Sequence, residues 1–212
     1  MATYYSQYGQ DKILDEVVFK KKTKGVFVDV GASDGIEINN TYFFEKERNW
    51  TGVCIEPRVG AFQKLLKNRT CQCYQFCINN KHQDETFCEI KGYSELLSGL
   101  SSSFTKEHVE RIQRERDRYN QTVIEHKVHC IPLTKLLVEQ QIAQIDLCSI
   151  DVECGEMGVL HSIDFEKINI DVFVIEWRNN EGEIRSFMTK RNYISIAKCN
   201  SDIIYVKKDF PI

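Results

Sequence analysis

The side chains in this 212-residue chain that could do chemistry sit in short stretches, each directly after an apolar run. Asp151 and Glu153 follow the run 145–150, in Ile150-Asp151-Val152-Glu153-Cys154-Gly155-Glu156. At i and i+2 of an extended strand, both carboxylates point to one face. A pair of that kind serves as general base for a hydroxyl, positions a cofactor, or forms one side of a Mg²⁺ site. Glu156 reads equally well as a favourable charge in the first turn of the next helix.

A second stretch, Asp29-Val30-Gly31-Ala32-Ser33-Asp34-Gly35, ends the first apolar run. Its glycines let the backbone pass close to a ligand. The Gly-x-x-x-Gly spacing is not the three-glycine dinucleotide pattern, and Asp29 and Asp34 would repel a pyrophosphate. A ligand with sulfonium and ammonium groups, such as S-adenosylmethionine, suits this acidic loop better. Glu56, followed by Pro57 after the run 53–55, lies one helix-plus-strand crossover beyond Gly31, where an acid accepts both ribose hydroxyls. Ile78 and Asn79 are placed to frame an adenine, one against its face and one near its amino edge. Glu176, Trp177 and Arg178 end a further run and add an acid, an aromatic wall and a cation to the same rim.

These stretches need a scaffold that brings strand ends together. Short β-branched runs alternate with longer amphipathic ones, the pattern of a parallel sheet with helical crossovers. Strands are predicted at 25–30, 51–55, 71–78 (with a partner at 86–90), 127–131, 145–152 and 170–177. The last two, at 193–198 and 202–207, flank a turn at 199–201 and predict an antiparallel edge hairpin. Helices are predicted at 42–48, 59–67, 105–119, 133–140, 156–162 and 183–191. The expectation is one α/β domain over 1–212, with an N-terminal cap segment at 1–24. An insertion at 92–122, Ser/Gly-rich and then densely charged, reads as a lid. In such open sheets ligands bind outside the carboxyl ends of the strands.

Composition bounds the reading. With 42% hydrophobic and 28% charged residues the chain is an ordinary globular protein. A net charge of −3 supplies no polybasic field for nucleic acid or an anionic membrane. No apolar run approaches the ~20 residues of a membrane span, and the first residues lack a signal-peptide pattern. Nine cysteines, an odd number, fit a reducing compartment, so a cytoplasmic location is expected. Cys71, Cys73 and Cys77 share one face of a predicted strand. No histidine or second cysteine pair completes a tetrahedral zinc site, and no metal ligand is assigned. A homo-oligomer is compatible with the sequence.

Taken together, several motifs resemble the FkbM family of S-adenosylmethionine-dependent methyltransferases. The matching segments are 5–11, 27–35, 40–45, 50–57, 98–101 and 150–156, with Val159 and Leu160. The resemblance implies a Rossmann-like class I methyltransferase fold: a mostly parallel seven-stranded sheet, the last pair antiparallel, with helices on both faces. It also implies methyl transfer to a hydroxyl, often on a sugar or secondary metabolite. Gly31 would then lie under the methionine part of the cofactor, Glu56 would take the ribose, and Asp151 would stand where cofactor and acceptor meet. The cofactor side is assigned to Asp29, Gly31, Ala32, Asp34, Gly35, Glu56, Pro57, Ile78, Asn79 and Asp151. The acceptor side is assigned to Tyr8, Gln10, Asn40, Glu176, Trp177 and Arg178, within the segments 4–11, 92–119 and 176–180. Asp151 and then Glu153 are the candidate bases. The sequence departs from the family where Ser149 replaces a usual lysine and Cys154 a usual glycine. The expected function is O-methylation of a small acceptor, a sugar or nucleotide-sugar. Its rivals are a non-catalytic binding module with the same fold and, with less support from the glycine pattern, an NAD-dependent oxidoreductase.

Overall fold

The computed structural model describes residues 2–178 and 180–211, so Asn179 of the acceptor segment lies outside the described residues, as do Met1 and Ile212. The first half of the chain runs α1 (Gln10–Ile13), a π turn over Leu14–Val18, β1 (Val26–Val30), α2 (Tyr42–Arg48), β2 (Thr51–Ile55), α3 (Val59–Asn68), β3 (Gln72–Tyr74), β4 (Cys77–Ile78), β5 (Gln83–Lys91) and β6 (Gly99–Leu100). The second half runs α4 (Lys106–Tyr119), β7 (Thr122–Ile131), α5 (Leu133–Glu139), β8 (Gln144–Ile150), α6 (Glu156–His161), β9 (Asn169–Glu176), α7 (Glu181–Thr189), β10 (Tyr193–Cys199) and β11 (Asp202–Lys207).

The central sheet has seven strands in the order β10-β11-β9-β8-β1-β2-β3. β1 pairs in parallel with β2 and β8, and β8 with β9, so these strands end on one edge. β11 is antiparallel to both β9 and β10, which gives the expected hairpin. Because the parallel strands are buried on both faces, they read as continuous apolar runs rather than alternating ones. On one face Val28, Val30, Cys148 and Ile150 pack with Leu136 of α5, Leu160 of α6 and Met188 of α7. On the other, Phe27, Cys54, Leu147 and Val174 pack with Leu14 and Val18, Phe43 and Phe44 of α2, and Leu65 of α3. Each such side chain contributes roughly 1.5–3 kcal/mol by leaving water, and the two layers fix the strand ends that carry the polar residues.

The stretch expected to form one strand over 71–78 is divided between two sheets. β3 continues the central sheet beside β2, whereas β4 turns away after Phe76 and pairs with β7 in a separate sheet of order β4-β7-β5-β6. The 86–90 run therefore partners β7 rather than the third strand, in a long antiparallel ribbon from Gln83↔Cys130 to Lys91↔Thr122. Likewise 127–131 belongs to that ribbon and not to the parallel sheet. The alternation of apolar runs announced strands but not which sheet each would join. The segment 92–122 is carried by this ribbon: α4 is capped where Thr105 accepts from the His108 N–H and stops at Asn120, which is left-handed (φ 50).

Candidate functional site

A cavity of about 410 Å³ opens at the carboxyl ends of β1, β2, β8 and β9, walled on its far side by residues 93–100 and α4. The β1 end reaches it through Gly31 (φ 90), where an added Cβ would lie 1.8 Å from the Asp151 carbonyl oxygen. The loop also binds the neighbouring strand: the Gly31 and Ala32 N–H groups both donate to the Ile55 carbonyl, at 3.0 Å each.

Glu56 leaves β2 with its own N–H donated to the Tyr74 carbonyl (3.1 Å) and a buried carboxylate. One carboxylate oxygen accepts from the Ser33 N–H (2.9 Å); the other accepts from the Arg58 N–H and Nε, both at 2.9 Å. The Arg58 Nη groups continue to the Ser33 hydroxyl (3.0 Å) and the Glu95 carbonyl (3.1 Å). Arg58 thus straps the glycine loop to the inserted segment. Sequence reasoning missed it, although an arginine two residues past an acid, between a strand and a helix, was a readable sign.

The opposite side of the floor is acidic. β8 ends at Ile150, so Asp151 and Glu153 are brought together by a turn with left-handed Glu153 (φ 49) and Cys154 (φ 73), not by the strand pleat expected from their spacing. A left-handed position is where glycine costs least, which accounts for the glycine usual at 154. Carboxylate oxygens of Asp151, Glu153 and Glu176 all lie within 4.8 Å of one another. Loss of hydration and then the neighbouring acids push Glu153 and Glu176 up to about 8. Asp151 opens to the cavity yet is crowded by protein; desolvation, then Glu176, Asp202 and Glu156, raise it well above the usual carboxylate range. Glu156 takes the first turn of α6, buried, accepting from the Val152 N–H (3.3 Å), and burial raises it to about 7. Cations reach this floor from one side: Arg178 Nε is 3.5 Å from Glu176, and Arg111 also lines the cavity. His108 of α4 is buried, donates from Nε2 to the Leu97 carbonyl (3.0 Å) and holds Nδ1 3.7 Å from Glu153. Burial lowers its pKa, so it stands neutral there.

Of the residues singled out from sequence, Gly31, Ala32, Glu56, Pro57, Ile78, Asp151, Glu153, Glu176 and Arg178 line this cavity. The others lie behind or beside it. Asp29 is buried beneath the loop, accepting from Thr41 Oγ1 (2.7 Å) and Asn39 Nδ2 (2.8 Å), with Arg69 at 3.8 Å. Asp34 closes the loop on itself by accepting from the Ile36 and Glu37 N–H groups, and Gly35 (φ 84) lies against Leu65 and Arg69. Asn79 is turned to Glu85 (2.6 Å) and packs on Gly158. On the acceptor side, Tyr8 is exposed, Gln10 is buried and donates to Asp202, and Asn40 donates to the Ser149 hydroxyl at 3.1 Å. That bond occupies the position where a lysine is usual. Trp177 donates to the Asn200 carbonyl (2.9 Å) with Lys198 over its ring.

This fold and strand-end site define a class I methyltransferase domain. The model of the methyltransferase FkbM domain matches residues 29–195, and the chain belongs to that family, whose chemistry implies S-adenosylmethionine as methyl donor. No curated protein matches the sequence. Among solved structures, methyltransferase FkbM from Methylobacillus flagellatus KT is similar over 86% of this chain, with a TM-score of 0.51 and 10% identity. This chain spans 43% of that protein's length, and the likeness is one of fold. A precorrin-6y C5,15-methyltransferase from Geobacter metallireducens GS-15 aligns over 89% of this chain and 83% of its own, at 10% identity and a TM-score of 0.42. Among the described residues no helix is long and apolar enough to cross a membrane.

Proposed function

We propose that this chain transfers the methyl group of S-adenosylmethionine to a hydroxyl of a small acceptor, a sugar or nucleotide-sugar. The observation that carries the reading is the convergence, in one cavity, of the bare Gly31 wall, the Glu56 carboxylate and the acid pair Asp151 and Glu153. A cavity of about 410 Å³ is within the range of small-molecule sites. Gly31 lets the ends of β1 and β8 meet at the cavity wall, and Glu56 sits at the β2 end, where it would meet the ribose. The acidic floor suits a ligand bearing sulfonium and ammonium groups. The cofactor supplies a carbon already activated for in-line displacement. What remains for the protein is alignment, an effect of about 7–11 kcal/mol at best, and removal of the acceptor's proton.

That proton falls to Asp151, with Glu153 as second candidate. Asp151 opens to the cavity floor, where a carboxylate can reach a bound hydroxyl and accept its proton. Tyr93, Arg111 and Arg178 surround the mouth, where an aromatic face stacks on a sugar ring and the guanidinium groups meet phosphate oxygens. Residues 92–122 act as the lid over the acceptor. A second reading of the same acids is favoured by their spacing: three oxygens within 4.8 Å could hold Mg²⁺, a hard cation that takes carboxylates.

Calorimetric titration with S-adenosylmethionine, S-adenosylhomocysteine and NAD separates the alternatives. Binding of the two sulfur compounds and not of NAD is expected; no binding of either would sink the methyltransferase reading. With Asp151→Asn, retained S-adenosylhomocysteine binding and lost turnover of a sugar acceptor support the base. A thermal shift with MgCl₂ that Glu176→Gln abolishes would support the metal.

A further inference from the structure

Four linked side chains stand at the root of the β5–β7 ribbon, the end away from residues 92–122, and none of them lines the cavity. His82 lies in the turn between β4 and β5, and His129 on β7 is the direct cross-strand partner of Asp84 on β5. The two imidazoles face each other through Nε2, 3.0 Å apart, with their ring planes at 73°. His129 Nδ1 is 2.9 Å from an Asp84 carboxylate oxygen, and the Lys135 Nζ of α5 is 3.1 Å from His82 Nδ1. An ammonium only donates, so His82 Nδ1 accepts and the ring proton lies on Nε2. His82 Nε2–H is then donated to His129 Nε2, and His129 Nδ1–H to Asp84. All four residues are exposed.

We propose that His82 and His129 are the ligands of a zinc-type divalent transition ion, which takes the place of the proton held between their Nε2 atoms. Imidazole suits zinc, whereas Mg²⁺ prefers oxygen ligands such as the acids of the cavity floor. Tetrahedral zinc with bonds of ~2.0–2.1 Å sets two ligand nitrogens about 3.3 Å apart, so the pair has to open by only ~0.3 Å. Asp84 behind His129 is the carboxylate that orients a metal-bound imidazole and raises its basicity. Water completes the coordination on the exposed side. Lys135 opposes the ion. With zinc on Nε2, the neutral His82 ring carries its proton on Nδ1, where the Lys135 ammonium stands, and two donors cannot share that contact. Lys135 therefore has to turn away toward Glu139, 4.0 Å from its Nζ, which its exposed side chain permits. An ion bound here would pin the β4–β5 turn to β7, where the ribbon leaves the central fold, and stabilise the native chain by mass action.

The test titrates the full, untagged chain with ZnCl₂, reading the histidine ring nitrogens by ¹⁵N NMR and the affinity by calorimetry. One equivalent of zinc is expected to shift the Nε2 resonances of His82 and His129 together and to leave those of His108 and His161 in place. His82→Gln, His129→Gln and Asp84→Asn should each weaken binding about tenfold or more. Lys135→Met should tighten it, a gain that damage to the fold would not produce. Circular dichroism confirms that the variants are folded. The proposal is overturned by zinc that leaves both Nε2 resonances unmoved, by an affinity unchanged in His129→Gln, or by uptake at the Cys71 and Cys73 thiols or the Asp151 and Glu176 carboxylates instead.

Discussion

Gly31 and Asp151 touch backbone to backbone: the Cβ that Gly31 lacks would lie 1.8 Å from the Asp151 carbonyl oxygen, while the Asp151 N–H donates to Val30 at 3.0 Å. The adjacent ends of β1 and β8 are therefore fixed by the absence of a side chain. Gly31→Ala has to displace backbone and also strain a φ of 90°, so a loss of about 3 kcal/mol or more is expected in urea unfolding. Gly60, in α3 with nothing near its missing Cβ, is the internal control. There alanine should stabilise by about 0.5–1 kcal/mol.

Arg69 holds the underside of the same loop. Its guanidinium is buried among Glu45, Asn39 and Thr41, 3.8 Å from buried Asp29. Removing one partner of a buried ionic network leaves the others uncompensated. Arg69→Ala should therefore lower stability by about 3–5 kcal/mol. Arg69→Lys should recover little, because an ammonium cannot serve several acceptors in the guanidinium plane. Chemical denaturation of both variants checks this; a loss below about 1 kcal/mol in the alanine variant would count against it.

For Glu56 the measurement is ligand affinity. Glu56→Ala should weaken S-adenosylhomocysteine binding at least tenfold, about 1.4 kcal/mol. A melting curve is needed beside it, since Arg58 and Ser33 also lose a partner. Unchanged affinity in a folded variant refutes the ribose assignment.

The acidic floor gives a pH dependence with a definite sign. Glu153 and Glu176 lie up at about 8 and Glu156 at about 7, against about 4.3 for an unfolded glutamate. Between those values the native state binds more protons than the unfolded one, so these groups lose stability as pH rises from about 4 to about 8. Melting temperature in the presence of EDTA should fall across that window. Glu176→Gln should flatten the slope; a slope unchanged by that variant would place the effect elsewhere.

Much of this was legible beforehand. Apolar runs ending at Glu56, Asp151 and Glu176 marked strand ends, because a strand buried on both faces leaves most of its polar residues for the edge. The split of 71–78 was not legible, since Cys73 and Cys77 suit either sheet and only the long β5–β7 ribbon decides. Nor was the turn that brings Asp151 and Glu153 together in place of the expected strand pleat, because it depends on two left-handed residues of ordinary type. The Arg58 strap and the approach of His108 are contacts across 37 and 45 residues, between Arg58 and Glu95 and between His108 and Glu153. Local pattern carries no record of contacts at that range.

β10 reaches the sheet only through β11, which is inserted between it and β9. Any opening that frees β11 therefore frees β10 as well, and the pair should exchange its amide protons as one cooperative unit. β11 begins at Asp202, directly opposite Glu176, and is tied to the N-terminal segment by Gln10. Opening of that edge hairpin would carry Asp202 away from Glu176 and from Gln10, and so loosen one side of the acidic floor.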